Sequence, residues 1–288
     1  MKVTSNRLKD IERHYVAQLA LLFGKEASQQ MMRMLIKHLF DIDRIRLALE
    51  PDIRLSESEL LEIHFAVKKL LQHEPIQYIT GEVEFCGNTF IVTPDVLIPR
   101  PETEEFVLQI KKSFPAKPNC TIWDIGTGSG CIAISLALLI PESIVTGFDV
   151  SEKALQIARS NVEKLGTKVL FAQADVLSVV FPETAQADLI VSNPPYIRES
   201  EKQLMQKNVL DYEPALALFV DDNDPLIFYR KITELAARHL NKGGMLYFEI
   251  NEVFGAEVKQ LCENVSLTNV QILKDYKGKE RFVSCQKK

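Results

Sequence analysis

After Pro118 the chain alternates short β-branched runs with longer stretches of helical periodicity. This pattern predicts strands over 121–125, 143–149, 168–173, 188–192, 244–250, 270–275 and 281–285. Helices fit between them at 131–140, 152–165, 226–240 and 256–263. Strand–helix repeats of this kind fold as a doubly wound, mostly parallel sheet, because each parallel pair needs a crossover. Only residues 276–280 separate the last two strands, too few for a crossover helix, so that pair must be antiparallel. The expectation is α/β: five parallel strands followed by a C-terminal antiparallel hairpin.

Residues 1–75 read differently. They carry helical periodicity and almost no strand signal: Ile11, Val16, Leu19, Leu22 and Phe23 form one apolar face, and Met31, Met32, Leu35 and Leu39 another. Ser56 with Glu59 three residues on is a capping box. It opens a helix through Leu60, Leu61, Ile63, Phe65, Val67 and Leu70. A small all-α N-terminal domain is expected. From Gln77 to Thr93 the pattern becomes alternating (Tyr78, Ile79, Val83, Phe85, Phe90, Val92), with a turn at Gly87-Asn88, so a β-hairpin and linker occupy 76–100. Pro101-Glu102-Thr103-Glu104 then opens a helix with acids in its first turn, and 101–288 forms the larger domain.

Composition narrows the class. At 288 residues and 46% apolar, the chain can bury a sizeable core unaided. The five cysteines are scattered without a C-x-x-C pair, which suggests buried, reduced thiols rather than a disulfide framework or zinc site. The charged N-terminus lacks a signal-peptide pattern, and the longest apolar run, 131–140, is too short to span a membrane. A cytoplasmic protein, monomeric and without membrane contact, is expected.

The first strand of the α/β part ends in Asp124-Ile125-Gly126-Thr127-Gly128-Ser129-Gly130, ahead of an apolar helix. Glycines there let the backbone turn sharply and approach a ligand closely, at the strand ends where open sheets bind ligands. The spacing is G-x-G-x-G rather than the G-x-G-x-x-G of dinucleotide folds, and an acid precedes it. That acid disfavours pyrophosphate and suits a cation such as the amine of a methionyl group. Asp149 ends the second strand, where a carboxylate accepts from a ribose diol. Asp175, after the third, suits an adenine amine, with Val176 beside the base. Three acids after three successive strands outweigh the reading of a plain structural turn.

The fourth strand runs into Asn193-Pro194-Pro195-Tyr196. The prolines fix φ and donate nothing, so the Asn193 side-chain oxygen and the Pro194 carbonyl are two rigid acceptors. They match the two N–H bonds of a planar NH2 group, and Tyr196 offers a flat face on which that group can stack. The acidic run Asp221-Asp222-Asn223-Asp224 is expected to cap the helix near Leu226 rather than to hold a metal, and His73 to be a surface residue at a helix end. No metal site is expected.

Asn193-Pro-Pro-Tyr-Ile, Asp124-Ile-Gly-Thr-Gly-Ser-Gly and Ile98-Pro-Arg-Pro-Glu-Thr-Glu together resemble the protein-glutamine methyltransferases that modify peptide-chain release factors (the HemK/PrmC type). Pro75-Ile-Gln-Tyr-Ile-Thr-Gly and Tyr212-Glu-Pro-Ala-Leu-Ala-Leu extend the likeness over nearly the whole chain. The resemblance implies a Rossmann-like S-adenosylmethionine methyltransferase sheet with a helical substrate-docking domain. It implies a class-one release factor as partner, methylated on the amide of its Gly-Gly-Gln glutamine, with S-adenosylhomocysteine as product. Asn193, Pro194, Pro195 and Tyr196 would be catalytic. Asp124, Gly126, Thr127, Gly128, Ser129, Gly130, Asp149, Asp175, Val176 and Asn193 would hold the cofactor. Two departures stand out: Glu249-Ile250-Asn251 replaces Glu-Ile-Gly, and His73-Glu74 replaces the arginine often found before the hairpin.

A sister enzyme acting on glutamine in a large-subunit ribosomal protein shares these motifs. A nucleic-acid amino-methyltransferase also uses Asn-Pro-Pro-Tyr but needs basic groups along the backbone path. The net charge of −5 and the absence of a basic, aromatic-interleaved cluster argue against it. A non-catalytic binding module would not need both motifs intact.

Overall fold

The computed structural model describes residues 5–288. In chain order the elements are α1 (Leu8–Phe23), α2 (Lys25–Phe40), α3 (Arg44–Leu49), α4 (Glu57–Leu71), α5 (Ile76–Thr80), β1 (Glu82–Phe85), β2 (Asn88–Ile91) and α6 (Pro101–Ser113). Then follow β3 (Thr121–Ile125), α7 (Cys131–Leu139), β4 (Ile144–Asp149), α8 (Glu152–Leu165), β5 (Leu170–Gln173), β6 (Ala187–Ser192) and β7 (Ile197–Arg198). The chain ends with α9 (Lys207–Tyr212), α10 (Ala215–Leu218), β8 (Phe219–Val220), α11 (Ile227–His239), β9 (Leu240–Glu249), α12 (Gly255–Asn264), β10 (Leu267–Lys274) and β11 (Glu280–Lys287). Two compact units result, 5–81 with 206–212, and 82–205 with 213–288.

The smaller unit is helical. Leu8, Ile11, Tyr15 and Leu19 of α1 pack with Met32, Leu35 and Ile36 of α2 and with Ile63, Val67 and Leu70 of α4. The Ser56–Glu59 capping box starts α4 as the sequence indicates. Leu22 departs from its expected place on the buried face and is exposed, because Phe23 completes the α1 stripe. Leu61 and Phe65 also face outward. Two residues from Ile63 and Val67, they sit about 200° round the helix. Tyr78 and Ile79, expected in a strand, lie instead in α5. Pro75 accepts from the amides of both, and Gly81, at φ 73°, ends the turn.

The larger unit carries a seven-stranded sheet in the order β10-β11-β9-β6-β3-β4-β5. Parallel pairing joins β9, β6, β3, β4 and β5; β11 is antiparallel to both β9 and β10. Alternation along β3 divides its side chains between two cores. Ile122 packs with Phe106, Val107 and Ile110 of α6 and with α7 on one face; Trp123 and Ile125 pack with Tyr229, Ile232 and Ala236 of α11 on the other. The β1–β2 hairpin turns at Cys86-Gly87 rather than Gly87-Asn88, since Asn88 already pairs with Phe85. Both turn residues have positive φ, 49° and 74°, which matches the twist of a two-residue hairpin.

Candidate functional site

The carboxyl ends of β6, β3, β4 and β5 are adjacent, so the segments that follow them meet in one cleft of the larger unit. Its lining includes Gly126, Gly128, Asp149, Asp175, Val176, Asn193, Pro194 and Pro195, which the sequence assigned to it. The glycine loop is held from below and from the side. The amides of Gly126 and Thr127 donate to the Phe148 carbonyl at 2.8 and 2.9 Å. The Gly128 amide donates to Asp149 Oδ2 at 2.8 Å, and the Ser151 amide to Asp149 Oδ1 at 2.9 Å. One carboxylate thus fixes both the loop and the start of α8. Burial pushes its pKa up against the opposing pull of those amides.

Gly130 is a residue the loop cannot replace. Its φ is 79°, and a Cβ there would stand 3.1 Å from Ala158 and Ile134 and 3.2 Å from Phe171. Asn161, wholly buried, ties this loop to the hairpin by donating to the carbonyls of Ser129 and Ile91 and accepting from the Ile91 amide.

Asp124, Thr127, Ser129 and Gly130 do not line the cleft; they are buried beneath it. Asp124 Oδ2 accepts from Thr127 Oγ1 at 2.7 Å and from the Ala133 amide at 3.2 Å, so it braces the loop against α7. Its Oδ1 has no hydrogen-bond partner. Burial raises this carboxyl to about 7, with the Thr127 and Ala133 bonds opposing and Asp149 adding to the rise. Asp124 thus stands beneath the loop rather than on the lining of the cleft. Asp175 is exposed at the rim and accepts from Leu177 N and Ser178 Oγ.

At the other end, Tyr196 turns its hydroxyl away from the cleft and donates to Glu249 Oε1 at 3.1 Å. Asn251, which stands where the resemblance would place glycine, donates to the Tyr196 carbonyl at 3.3 Å and accepts from the Val253 amide. The departure from Glu-Ile-Gly thus adds a tie to the Asn-Pro-Pro-Tyr segment. The acidic run does not cap α11 through its side chains: Asp224 pairs with Arg230, Asp222 accepts from Ser200, and Asp221 accepts from Asn223.

Sequence reasoning missed the walls. Asp95, Val96 and Leu97 line the cleft from one segment, Pro214, Leu216 and Ala217 from another, and Phe228 and Ile232 from α11. The first set directly precedes Ile98-Pro-Arg-Pro and the second lies within Tyr212-Glu-Pro-Ala-Leu-Ala-Leu, two segments whose likeness carries no role in the sequence, whereas Phe228 and Ile232 belong to α11.

A doubly wound sheet with a glycine loop after β3, carboxylates after β4 and β5 and Asn-Pro-Pro-Tyr after β6 defines a Rossmann-like methyltransferase. Residues 107–214 match the Methyltransferase small domain, and residues 15–81 match the PrmC N-terminal domain. A release factor glutamine methyltransferase of Flavobacterium psychrophilum is 43% identical over 96% of this chain and 98% of its own length. That of Bacteroides thetaiotaomicron is 44% identical over 92% and 95%. In fold, a methyltransferase from Pyrococcus furiosus matches with a TM-score of 0.53 at 19% identity, over 81% of this chain and 99% of that one. The chain belongs to the release factor glutamine methyltransferase family.

Proposed function

We propose that this protein transfers a methyl group from S-adenosylmethionine to the side-chain amide nitrogen of the glutamine in the Gly-Gly-Gln motif of class-one release factors. S-adenosylhomocysteine would be the product. The observation that carries the reading is that Asn193 and Pro194 share one cleft with the glycine loop and Asp149.

The cleft suits the cofactor. Val96, Leu97, Val176 and Phe228 supply apolar walls for a base, and the acceptors Asp149 and Asp175 stand at successive strand ends. Asp149 would hold the ribose, Asp175 with Val176 the adenine, and Gly126 with Gly128 the methionyl end. Asp124, Thr127, Ser129 and Gly130 would act by shaping the loop. When bound, S-adenosylmethionine supplies a methyl group on a positively charged sulfur.

The residues of the chain do the rest by placement. An amide nitrogen is a poor nucleophile, its lone pair delocalised into the carbonyl. Asn193 Oδ1 and the Pro194 carbonyl would accept its two N–H bonds and aim the nitrogen. They would also stabilise the positive charge that grows on it. Pro195 keeps the segment rigid, and Tyr196, which is not among the residues lining the cleft, would act by anchoring that segment to Glu249. The helical unit would dock the release factor. A cytoplasmic setting fits that substrate, and no helix among the described residues is long and apolar enough to cross a membrane.

Incubation with labelled S-adenosylmethionine tests the reading on a purified class-one release factor and its Gly-Gly-Ala variant. Label on the first alone supports it. Label on neither sends the search to ribosomal protein, then to nucleic acid.

A further inference from the structure

Four side chains behind the cleft form one chain of hydrogen bonds. Asn193 Nδ2 donates to Thr103 Oγ1 at 3.3 Å, Thr103 Oγ1 donates to Glu249 Oε2 at 2.7 Å, and Tyr196 OH donates to Glu249 Oε1. Thr103 and Glu249 are 3% and 2% exposed, so water does not replace these partners. Thr103 lies in the first turn of α6, but its hydroxyl is not spent on the helix end, which has no side-chain cap.

We propose that Thr103, backed by Glu249, is a positioning residue that sets which end of the Asn193 carboxamide faces the substrate. This rests on the glutamine reading above. The reasoning is a proton count. Burial raises the Glu249 carboxyl above its ordinary range, while the Thr103 and Tyr196 hydroxyls and the nearby Arg281 favour its charged form. As a carboxylate it has no hydrogen to give, so the single Thr103 hydroxyl proton goes to it, as the 2.7 Å bond is directed. What Thr103 then presents to Asn193 is a lone pair. Only the NH2 end of the carboxamide satisfies it; the oxygen end would set two acceptors against each other. Nδ2 is thereby held at Thr103, and Oδ1 is left for the substrate NH2. Without the hydroxyl, the two ends of the carboxamide are nearly equal in shape, and a flipped Asn193 would present donors to donors. Tyr196, bonded to the other oxygen of the same carboxylate, is placed by the same anchor.

The test compares Thr103→Val, which keeps the shape and removes the hydroxyl, with Thr103→Ser, which keeps the hydroxyl, in the full-length enzyme. Steady-state transfer to a purified release factor, S-adenosylmethionine affinity and melting temperature are measured for each. For Thr103→Val, kcat should fall roughly 10- to 100-fold, as expected for lost orientation. Its cofactor affinity should stay within about twofold of the parent, and Thr103→Ser should recover most of the rate. If Thr103→Val does not fold, Thr103→Ala takes its place.

A hydroxyl-free variant with the parent's kcat overturns the proposal. So does a joint loss of kcat, cofactor affinity and melting temperature that serine fails to rescue, since that marks a structural role. A parent enzyme that binds cofactor yet methylates no release factor overturns the glutamine reading and this assignment with it. A parent that works while valine matches it overturns this assignment alone.

Discussion

Arg100 and Glu213, 113 residues apart in sequence, meet in an ion pair 2.6 Å long. The Glu213 side chain is 1% exposed, and its second oxygen accepts from the Ile98 amide at 3.2 Å. This contact ties the segment carrying Asp95, Val96 and Leu97 to the one carrying Pro214, Leu216 and Ala217, the two walls of the cleft. Arg100→Ala leaves a buried carboxylate with one amide for company. Removing one partner of a buried pair is costly; with Arg100 about one-third exposed, a loss of about 1–3 kcal/mol is expected. Thermal unfolding should show it, and cofactor affinity should drop as the walls loosen. An unchanged melting temperature and affinity would remove the tether from the account.

Asn193→Ala should leave S-adenosylmethionine binding nearly intact while kcat falls by roughly two to four orders of magnitude. The carboxamide is half-buried at the cleft and held by Thr103, so truncation opens no core cavity. Cofactor titration beside single-turnover transfer separates the two effects. Turnover at the parent's rate would take Asn193 out of the chemistry.

Asp149→Ala should act on the opposite side of that division. Its oxygens organise the Gly128 amide and the start of α8, besides facing the cleft. Cofactor affinity is expected to fall by one to two orders of magnitude, on the order of a charged hydrogen bond lost, with kcat at saturating cofactor much less affected. A fall in kcat alone, with affinity preserved, would contradict the ribose assignment.

The α/β half was legible because its signals are local. β3 and α8 fall on the residues expected, since 121–125 is rich in β-branched and aromatic residues and 152–165 is bracketed by Ser151 and Gly166. The glycine loop and Asn-Pro-Pro-Tyr were legible because their backbone demands allow few residue types. Other features were set by distant partners. Nothing around Thr103 announces that its hydroxyl meets Glu249, 146 residues on, and nothing near Glu213 points to Arg100. Asp124 was read as facing a ligand, but strand alternation turns it under the loop towards α7, where Ala133 and Thr127 take one of its oxygens. α5 was misread because Tyr78 and Ile79 have strand character; Pro75 and Gly81 at its ends decide otherwise.

That placement of Asp124 makes stability depend on pH in a direction opposite to that of an ordinary paired carboxylate. Burial lifts its pKa from 3.8 to about 7 in the folded protein, so between those values the native state binds a proton that the unfolded chain has released. Stability therefore rises as pH falls from above 7 towards 4, and is lost as pH climbs through 7. A shift of this size corresponds to at most a few kcal/mol. Asp149, also raised, contributes with the same sign, so the comparison must be between variants. In Asp124→Asn the amide oxygen can take the place of Oδ2 and keep the Thr127 and Ala133 bonds, with the NH2 group where Oδ1 has no partner. The variant carries no titratable charge there, so its unfolding free energy should vary less than the parent's between pH 5 and about 8. Denaturant unfolding at several pH values measures both slopes, and equal slopes would mean that Asp124 titrates in its ordinary range.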